Sequence, residues 1–302
     1  MKELKKISEY HTLANIGAPE HPLISLVDYR KVRYTVDASE LRWKQHYYTI
    51  GLKRNIPYKL FYGQQEYDFD EGIMTFIAPG QIMRLDANPN FGSKEPEGWL
   101  LLIHPDFLWN SNLAKVIKQY QFFDYSVNEA LFLSEKEENI MLELLMNIQK
   151  EYESNIDPFS QKIVISQIEV LLNYAERFYN RQFITRKISN HQILGKLELL
   201  LNEYFEQDDL IHRGLPTVQW VADSLHLSPN YLSNMLKSIS GQSTQQHIHD
   251  KLIEKAKEQL TTTQLSVSEI AYNLGFEYPA SFTKLFKSKT EKSPIEFRNM
   301  YN

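Results

Sequence analysis

An apolar stripe at helical spacing predicts two short helices in residues 266–298. Ser266 and Glu269 form a capping box that begins the first helix, and Gly275 is placed to end it. Pro279 suits the first position of the second helix. The stretch therefore predicts a helix-turn-helix, and its inward positions are Val267, Ile270, Ala271, Leu274, Phe282, Leu285 and Phe286.

The second of these helices has an outward face of small and polar residues with interspersed lysines. A helix that enters the major groove of DNA needs such a face, because the groove excludes bulk and phosphates flank its walls. The pattern therefore favours a helix that reads DNA. The outward residues are Ala280, Ser281, Thr283, Lys284 and Lys287.

The same unit occurs a second time, earlier in the chain. Residues 217–240 and 266–289 carry apolar positions in the same order, with one residue inserted at the second turn. Apolar residues at helical spacing over residues 245–261 predict a rigid helix between the copies. A tandem helical hairpin for protein contact is the alternative. It would not explain why lysines and small outward residues recur at equivalent positions in both copies.

A specific set of residue types marks the second copy and the helix after it: Ile270-Ala271, Gly275-Phe276, Phe282, Phe286-Lys287, Ser293-Pro294 and Phe297-Arg298. At these positions the chain resembles the AraC-type bacterial transcription regulators. Glu291 departs from the resemblance, because the family usually has a glycine there, and this leaves open a loop of different shape.

The resemblance also implies which residues contact DNA. Base contact carries over to three matching positions in each copy, which are Asn230, Ser233 and Asn234 in the first and Ala280, Thr283 and Lys284 in the second. The predicted phosphate contacts are Lys237, Ser281 and Lys287. The chain is thus expected to be a sequence-specific DNA-binding regulator of transcription, and RNA polymerase is a further candidate partner.

Toward the N-terminus, over about residues 20–110, the pattern changes to short aromatic and β-branched runs separated by turns. The clearest predicted strands are residues 47–52, 58–62, 73–77 and 99–103. Many short strands predict a small antiparallel barrel of the cupin or jelly-roll type, so the fold class is α+β multidomain with an all-α C-terminal domain. A weaker resemblance to the cupin-like sensor domain of AraC-type regulators rests on Glu71-Gly72, Pro79-Gly80-Gln81 and Pro105-Asp106-Phe107.

Two helices are predicted between the barrel and the helix-turn-helix region, over about residues 134–180. Ser134 and Glu137 form a capping box for the first, and Asp157-Pro158 opens the second. The second helix has more apolar surface than one barrel would cover, so packing against its neighbour and dimerisation both stay open. The predicted domains are a sensing and dimerisation domain, a linker and a DNA-binding domain, over residues 1–185, 186–190 and 191–302.

Composition narrows the possible functions. The 302 residues are 42% hydrophobic, which is enough for two domains with cores of their own. The net charge of −5 means that attraction to DNA must be local. The absence of cysteine excludes disulfides, thiolate metal sites and redox sensing. Neither a signal-peptide core nor an apolar run of membrane-spanning length is present, so we expect a cytoplasmic protein.

Histidine spacing argues against a metalloenzyme. Cupin enzymes hold a metal with closely paired histidines, but His46 is alone on its predicted strand and His104 lies at a strand end. His247 and His249 lie two apart in the predicted connecting helix, where they point away from each other. We therefore expect no catalytic residue, metal or cofactor. The alternative function, a cupin-type metalloenzyme domain tethered to a DNA-binding module, rests on the barrel pattern alone.

A barrel rich in aromatic residues could enclose a small-molecule effector. Core packing is the competing interpretation of each aromatic side chain, and the sequence does not identify the effector or the target promoter. The candidate pocket residues are Trp43, His46, Tyr48, Tyr58, Tyr62 and Trp99. The expected partners are therefore double-stranded DNA, a small molecule and a second copy of the chain in a homodimer.

Overall fold

The structure is a computed structural model. It describes residues 2–34, 42–54, 61–62, 65–66, 72–84, 97–125, 129–154, 157, 159–185, 187–206 and 210–300. The chain folds as two compact units, Met1–Gln182 and Phe183–Asn302, and each is considered by itself.

The first unit contains short strands that form two sheets and a hairpin. In chain order they are β1 (Lys2–Leu4), β2 (Ile24–Asp28), β3 (Arg42–Gln45), β4 (Tyr48–Arg54), β5 (Phe61–Tyr62), β6 (Gln65–Glu66), β7 (Ile73–Ile77), β8 (Ile82–Arg84), β9 (Glu97–Ile103) and β10 (Leu131–Phe132). A five-stranded antiparallel sheet has the order β10-β7-β4-β9-β2, and a three-stranded sheet has the order β1-β3-β8. Strands β5 and β6 pair with each other.

The predicted barrel is not closed among the described strands. β2 and β10 lie at opposite ends of the five-stranded sheet, and β1 belongs to the other sheet through a parallel pairing with β3. Closure requires the two edge strands of a sheet to pair with each other. A run of aromatic and β-branched residues predicts a strand correctly, but it does not specify a partner far away in the sequence. The described part of the first unit is therefore an α+β arrangement with separate sheets.

A buried core fills the space between the two sheets. Trp43 on β3 packs there with Leu102 on β9 and with helix α1 (Ile7–Leu13). Because successive residues of a strand point to opposite faces, Ile103 lies on the other side of the five-stranded sheet. Tyr48 of β4 pairs directly with Ile103 and shares that side. The five-stranded sheet therefore has one face toward Trp43 and the other toward Tyr48.

Two further α-helices belong to the first unit, α2 (Leu113–Val116) and α3 (Glu135–Glu153), and α4 (Ser160–Thr185) belongs to it as far as Gln182. The predicted capping box of α3 is confirmed, since the Ser134 N–H donates to Glu137 Oε2 at 2.9 Å. At the start of α4, Asp157 Oδ1 accepts the N–H of Ser160 at 2.9 Å. Both predicted helices are present, and α4 is longer than expected.

The last turns of α4 within this unit bind strand β10. Gln182 is fully buried; its Oε1 accepts the Phe132 N–H at 2.8 Å, and its Nε2 donates to the Ala130 carbonyl at 3.2 Å. Arg181 forms a salt bridge with Glu137 at 2.6 Å. A short edge strand thereby gains partners from side chains as well as from its sheet.

The predicted linker, residues 186–190, is helical from Lys187, where α5 (Lys187–Glu206) begins. The stretch between Arg177 and Asn190 is polar, but it contains neither proline nor glycine, so no residue in it breaks a helix. Polar composition alone therefore did not mark the end of helical structure. A helical connection can still join two domains, and the domain limits stay a prediction.

The described part of the second unit is helical: after α5 come α6 (Leu210–Arg213), α7 (Val218–Ser224), α8 (Pro229–Ser240), α9 (Thr244–Thr262), α10 (Val267–Asn273), α11 (Pro279–Thr290) and α12 (Pro294–Arg298). Helix α9 is the predicted connecting helix. Its Leu252 and Ala256 pack in one core with Phe282 and Phe286 of α11. Among the helices described in either unit, none combines the length and apolar character that a membrane span requires.

Candidate nucleic-acid interface

The first helix-turn-helix consists of α7 and α8, and each helix begins with a side-chain cap. Thr217 Oγ1 accepts the Trp220 N–H at 3.1 Å, and Ser228 Oγ accepts the Tyr231 N–H at 3.3 Å. These caps bind N–H groups that the first turn of a helix leaves without a partner. Gly241 follows α8 in the left-handed region, at a φ of 76°. Both helices of this copy thus begin at a side-chain cap, and α8 ends at a glycine in the left-handed region.

In the second helix-turn-helix, α10 and α11, the second helix begins at Pro279 without a side-chain cap, whereas α10 repeats the arrangement of the first copy. Its predicted capping box is confirmed: the Ser266 N–H donates to Glu269 Oε2 at 2.7 Å, and the Glu269 N–H donates to Ser266 Oγ at 3.2 Å. Glu291 ends α11 at a φ of 61°, also in the left-handed region, as Gly241 does after α8. The backbone therefore takes the same conformation at both positions, and the loop of different shape that the sequence left open is not found.

Helix α11 presents its predicted DNA-contacting residues to solvent while its aromatic residues face the core. The exposed residues are Ala280, Ser281, Lys284 and Lys287. Thr283 is half-buried, and its Oγ1 donates to the Pro279 carbonyl at 3.1 Å. Phe282 and Phe286 are fully buried. The structure thus brings the predicted contacts of this copy onto one face of one helix.

Helix α8 places its predicted contacts on one face as well, but that face is less exposed. Asn230, Ser233 and Asn234 are half-buried, and Lys237 is exposed. On the inward side, the ring of the fully buried Tyr231 lies 5.1 Å from that of Phe183, nearly perpendicular to it. The first copy therefore offers amides and a hydroxyl near the protein surface, whereas the second offers lysines in solvent.

The positive charges near α11 differ in their partners. Arg298, which belongs to the signature residues, donates from Nε to the Leu260 carbonyl at 3.1 Å and from Nη2 to the Leu265 carbonyl at 2.6 Å. It therefore holds α12 against the end of α9. In contrast, Lys284 and Lys287 form no salt bridge with any residue that the structure describes. These two lysines are the cations that α11 can offer to phosphates or bases.

Asp250 on α9 contacts both helix-turn-helix copies. Its Oδ2 accepts from Gln242 Nε2 at 2.7 Å, just after α8, and its Oδ1 accepts from Lys289 Nζ at 2.7 Å, in the last turn of α11. Burial, and then the charge of Lys289, lowers the pKa of the neighbouring His249. Sequence reasoning missed Asp250, because it is 39 positions from Lys289 and no local pattern marks the pair.

Comparison with known proteins decides the family. Residues 221–300 match the family described as a helix-turn-helix domain. The chain is 36% identical over 78 residues to the arabinose operon regulatory protein of Escherichia coli (strain K12), which is 26% of this chain and 27% of that protein. The C-terminal part of the chain is therefore a helix-turn-helix domain of the AraC type.

Two uncharacterized HTH-type transcriptional regulators are also similar to this chain. YijO of Escherichia coli (strain K12) is 34% identical over 114 residues, which is 38% of this chain and 40% of YijO. YfiF of Bacillus subtilis (strain 168) is 27% identical over 264 residues, which is 85% of this chain and 81% of YfiF. The chain therefore spans less than half of YijO and of the arabinose regulator. All three relatives are regulators rather than enzymes, which argues against the metalloenzyme alternative.

In the first unit, two of the predicted effector residues lie on opposite faces of the five-stranded sheet. Trp43 belongs to the core between the sheets, and its ring lies 6.2 Å from that of Tyr34. Tyr48 is on the other face, with its ring 5.1 Å from that of Phe123. Since the sheet separates them, Trp43 and Tyr48 do not line one common space.

The other predicted pocket residues are scattered. His46 is half-buried, with its Nε2 3.8 Å from Glu3 Oε2, and Trp99 is half-buried on β9. Tyr58 lies outside the described residues, as does the side chain of Tyr62 on β5. Within the described ranges, no three His, Asp or Glu side chains converge as ligands for a metal ion.

Proposed function

We propose that this AraC-family regulator binds DNA sequence-specifically with both recognition helices, α8 and α11. The observation that supports this most is the recurrence of a small, polar, lysine-bearing face on two helices that both pack against α9. If α9 holds them rigidly, they enter successive major grooves about 34 Å apart on one face of the duplex. Each monomer then covers close to two helical turns.

The two faces divide into base contacts and phosphate contacts. Asn234 can pair bidentately with adenine, and Lys284 can donate to guanine. The remaining base contacts are Asn230, Ser233, Ala280 and Thr283. Lys237 and Lys287, about a turn further along their helices, and Ser281 contact phosphates. Base contacts set the preferred sequence, whereas phosphate contacts set affinity for any duplex.

Two substitutions test this division. Asn234→Ala should cost about 1–3 kcal/mol of binding free energy at a cognate site and relax the preference there. Lys287→Ala should weaken binding to every sequence and lower the salt slope by about one. The affinity of each variant is measured over a salt series, both on duplexes selected from a random pool and on scrambled duplexes. Lys150→Ala on α3 is the control for the loss of a lysine. Equal losses on both duplexes for Asn234→Ala would show that it does not read a base.

Dimerisation is assigned to the first unit, through α4. Phe159, just before this helix, and Ile163 and Val170 within it are 66%, 41% and 42% exposed, which leaves apolar surface along one side of α4. Sedimentation of the full chain tests the assignment. Ile163→Glu with Val170→Glu should yield monomers, whereas Trp109→Glu, which changes an exposed apolar residue on another element, should leave the dimer intact. A dimer that persists in the α4 variant contradicts the assignment.

The first unit acts as a cytoplasmic sensor of a small molecule in this proposal. The two sheets that pack across the core of Trp43 and Leu102 are compatible with a sandwich of the cupin or jelly-roll type. Effector binding there would change how the regulator engages DNA or RNA polymerase. A titration of the full chain with small molecules, read by duplex affinity, tests this control.

A further inference from the structure

A cleft of about 310 Å³ opens in the first unit near the start of α4. Its volume is at the lower end of the range of small-molecule sites, about 300–1,000 Å³. None of the residues that line it belongs to the predicted effector pocket. They are His21, Leu23, Phe107, Tyr152, Asp157, Ser160, Gln161 and Val164.

One side of the cleft is apolar and well packed. Phe107, Tyr152 and Val164 are only 4%, 8% and 1% exposed, so their positions are fixed by the core behind them. The ring of His21 meets that of Phe107 edge-on at a centroid distance of 5.5 Å. A ring or another compact apolar group of a ligand can therefore pack against these side chains without rearrangement of the core.

Two hydrogen-bond donors border the apolar wall. The Leu23 N–H donates to His21 Nδ1 at 3.1 Å, and burial lowers the pKa of His21, so the neutral ring carries its hydrogen on Nε2. The Tyr152 hydroxyl accepts the Leu26 N–H at 2.7 Å, and no described residue accepts the hydroxyl hydrogen. Two lining side chains therefore each retain one donor hydrogen, the N–H of His21 and the O–H of Tyr152.

Acceptors lie on the α4 side. Asp157 Oδ1 accepts the N–H groups of Phe159 and Ser160 at 2.7 and 2.9 Å, whereas Oδ2 takes neither bond. Gln161 Nε2 donates to the Phe107 carbonyl at 2.7 Å, which leaves its Oε1 as an acceptor. Since the carboxylate of Asp157 sits at the start of α4, the helix dipole offsets part of its charge.

The composition of the lining selects the charge of a ligand. The described residues of the lining include no lysine or arginine, so an anion finds no cationic partner among them. We infer that this cleft is the effector site of the first unit and takes a neutral hydroxylated ring, with hydroxyl groups that accept from His21 and Tyr152 and donate to Asp157 or Gln161. The biological role of the site rests on the proposed effector control, whereas binding itself does not.

Saturation-transfer NMR on the full chain tests the cleft with resorcinol, cyclohexane-1,3-diol, phenol and benzoate as probes. Both diols should bind, and resorcinol should bind about tenfold more tightly than phenol, because phenol leaves one donor without a partner. Gln161→Trp should fill the cleft and abolish binding. Gln167→Trp, further along α4 and outside the lining, should leave it unchanged.

His21→Phe separates hydrogen bonding from packing. The phenyl ring can keep the contact with Phe107 but removes the Nε2 donor, so phenol should still bind while the preference for resorcinol disappears. Binding of either diol to Gln161→Trp as to the wild type would overturn the site. The site would also be overturned if benzoate bound as tightly as resorcinol, or if neither diol bound.

Duplex affinity with and without saturating resorcinol tests the effector role. A changed affinity is expected, and an unchanged affinity in a protein that binds resorcinol overturns the role while the cleft stands. If the chain binds the diols but no duplex, the proposed DNA-binding function fails and the cleft stands. If it binds duplexes but no diol, the cleft fails and the DNA-binding function stands.

Discussion

The two helix-turn-helix copies have the same backbone conformation at their two tight turns, but they place glycine at different ones. In the first copy His226 lies between the helices at a φ of 57° and Gly241 follows the recognition helix at 76°; in the second copy Gly275 and Glu291 take these places at 87° and 61°. Each copy therefore uses one glycine and one side-chain-bearing residue in the left-handed region. Tertiary packing determines the backbone conformation at these turns, and the type of residue there changes the free energy that the conformation costs.

Only one of the two glycines also lies close to the backbone of another segment. A Cβ at Gly275 would come within 2.8 Å of the carbonyl carbon and 2.9 Å of the carbonyl oxygen of Gly214, whereas a Cβ at Gly241 would meet nothing within 4 Å. The turn of the second copy is therefore restricted by neighbouring backbone as well as by φ. The turn after α8 is restricted by φ alone.

The largest expected effect is on the stability of the second copy. Gly275→Ala should lower the free energy of unfolding by about 2–4 kcal/mol, because backbone cannot move aside as a side chain can. His226→Ala at the equivalent turn should change it by less than about 0.5 kcal/mol, since one non-glycine residue replaces another. Hydrogen exchange of the α7, α10 and α11 amides in the full chain measures both. Similar losses for the two variants would contradict the asymmetry.

The next largest effect is expected on the salt dependence of duplex binding. The exposed face of α11 carries Lys284 and Lys287, whereas the face of α8 carries only Lys237 among its predicted contacts. Removal of both α11 lysines should lower the salt slope of duplex binding by about two, and Lys237→Ala should lower it by about one. Affinity over a salt series on scrambled duplexes is the measurement. Equal slopes for the two variants would mean that the copies share the electrostatic contribution evenly.

A smaller effect, a gain in stability, is expected from a substitution at the end of α11. Glu291→Gly should raise the free energy of unfolding by about 0.5–1 kcal/mol, because glycine adopts the left-handed region without a steric penalty. Gly241→Ala, the reverse change after α8, should lower it by about 1 kcal/mol. Denaturant unfolding followed at the second unit checks the signs. If Glu291→Gly destabilises the protein, the glutamate side chain makes a contact that outweighs its backbone conformation.

Local signals account for what the sequence predicted well. The capping boxes at Ser134 and Ser266 involve groups three residues apart, so the sequence contains the whole interaction. The cap at Ser228 and the end of α8 at Gly241 are equally local. The faces that are predicted to contact DNA also follow from helical periodicity once the helix limits are known. For this reason the helix-turn-helix region could be predicted nearly residue by residue.

Non-local pairing accounts for what the sequence missed. The parallel pairing of Lys2 with Trp43 joins a very short strand to a distant one, and no periodicity in β1 indicates it. The cleft near α4 has the same cause, since His21, Phe107 and Gln161 come from separate elements. Aromatic content suggested a pocket around Trp43 and Tyr48, but burial in a core and exposure to a pocket have the same sequence pattern. The strands with the clearest aromatic and β-branched pattern could thus be predicted, whereas the other strands and the arrangement of the sheets could not.

The smallest effect is expected at Asp250, the residue that contacts both copies. Asp250→Asn keeps the shape of the side chain and can still accept from Gln242, but it removes the negative charge that pairs with Lys289 at 2.7 Å. The side chains of this pair are 28% and 41% exposed, and an ion pair that solvent reaches contributes little, so the free energy of unfolding should change by less than about 0.5 kcal/mol.

The freed Lys289 should then contact phosphate, so the salt slope on scrambled duplexes should rise by about one while the double variant Asp250→Asn/Lys289→Ala returns to the wild-type slope. Glu254→Gln, which unpairs Lys251 on the same helix α9, is the matched control and should leave the slope unchanged. If Asp250→Asn also leaves the slope unchanged, Lys289 lies out of reach of the duplex, and the positive surface of α11 ends at Lys287.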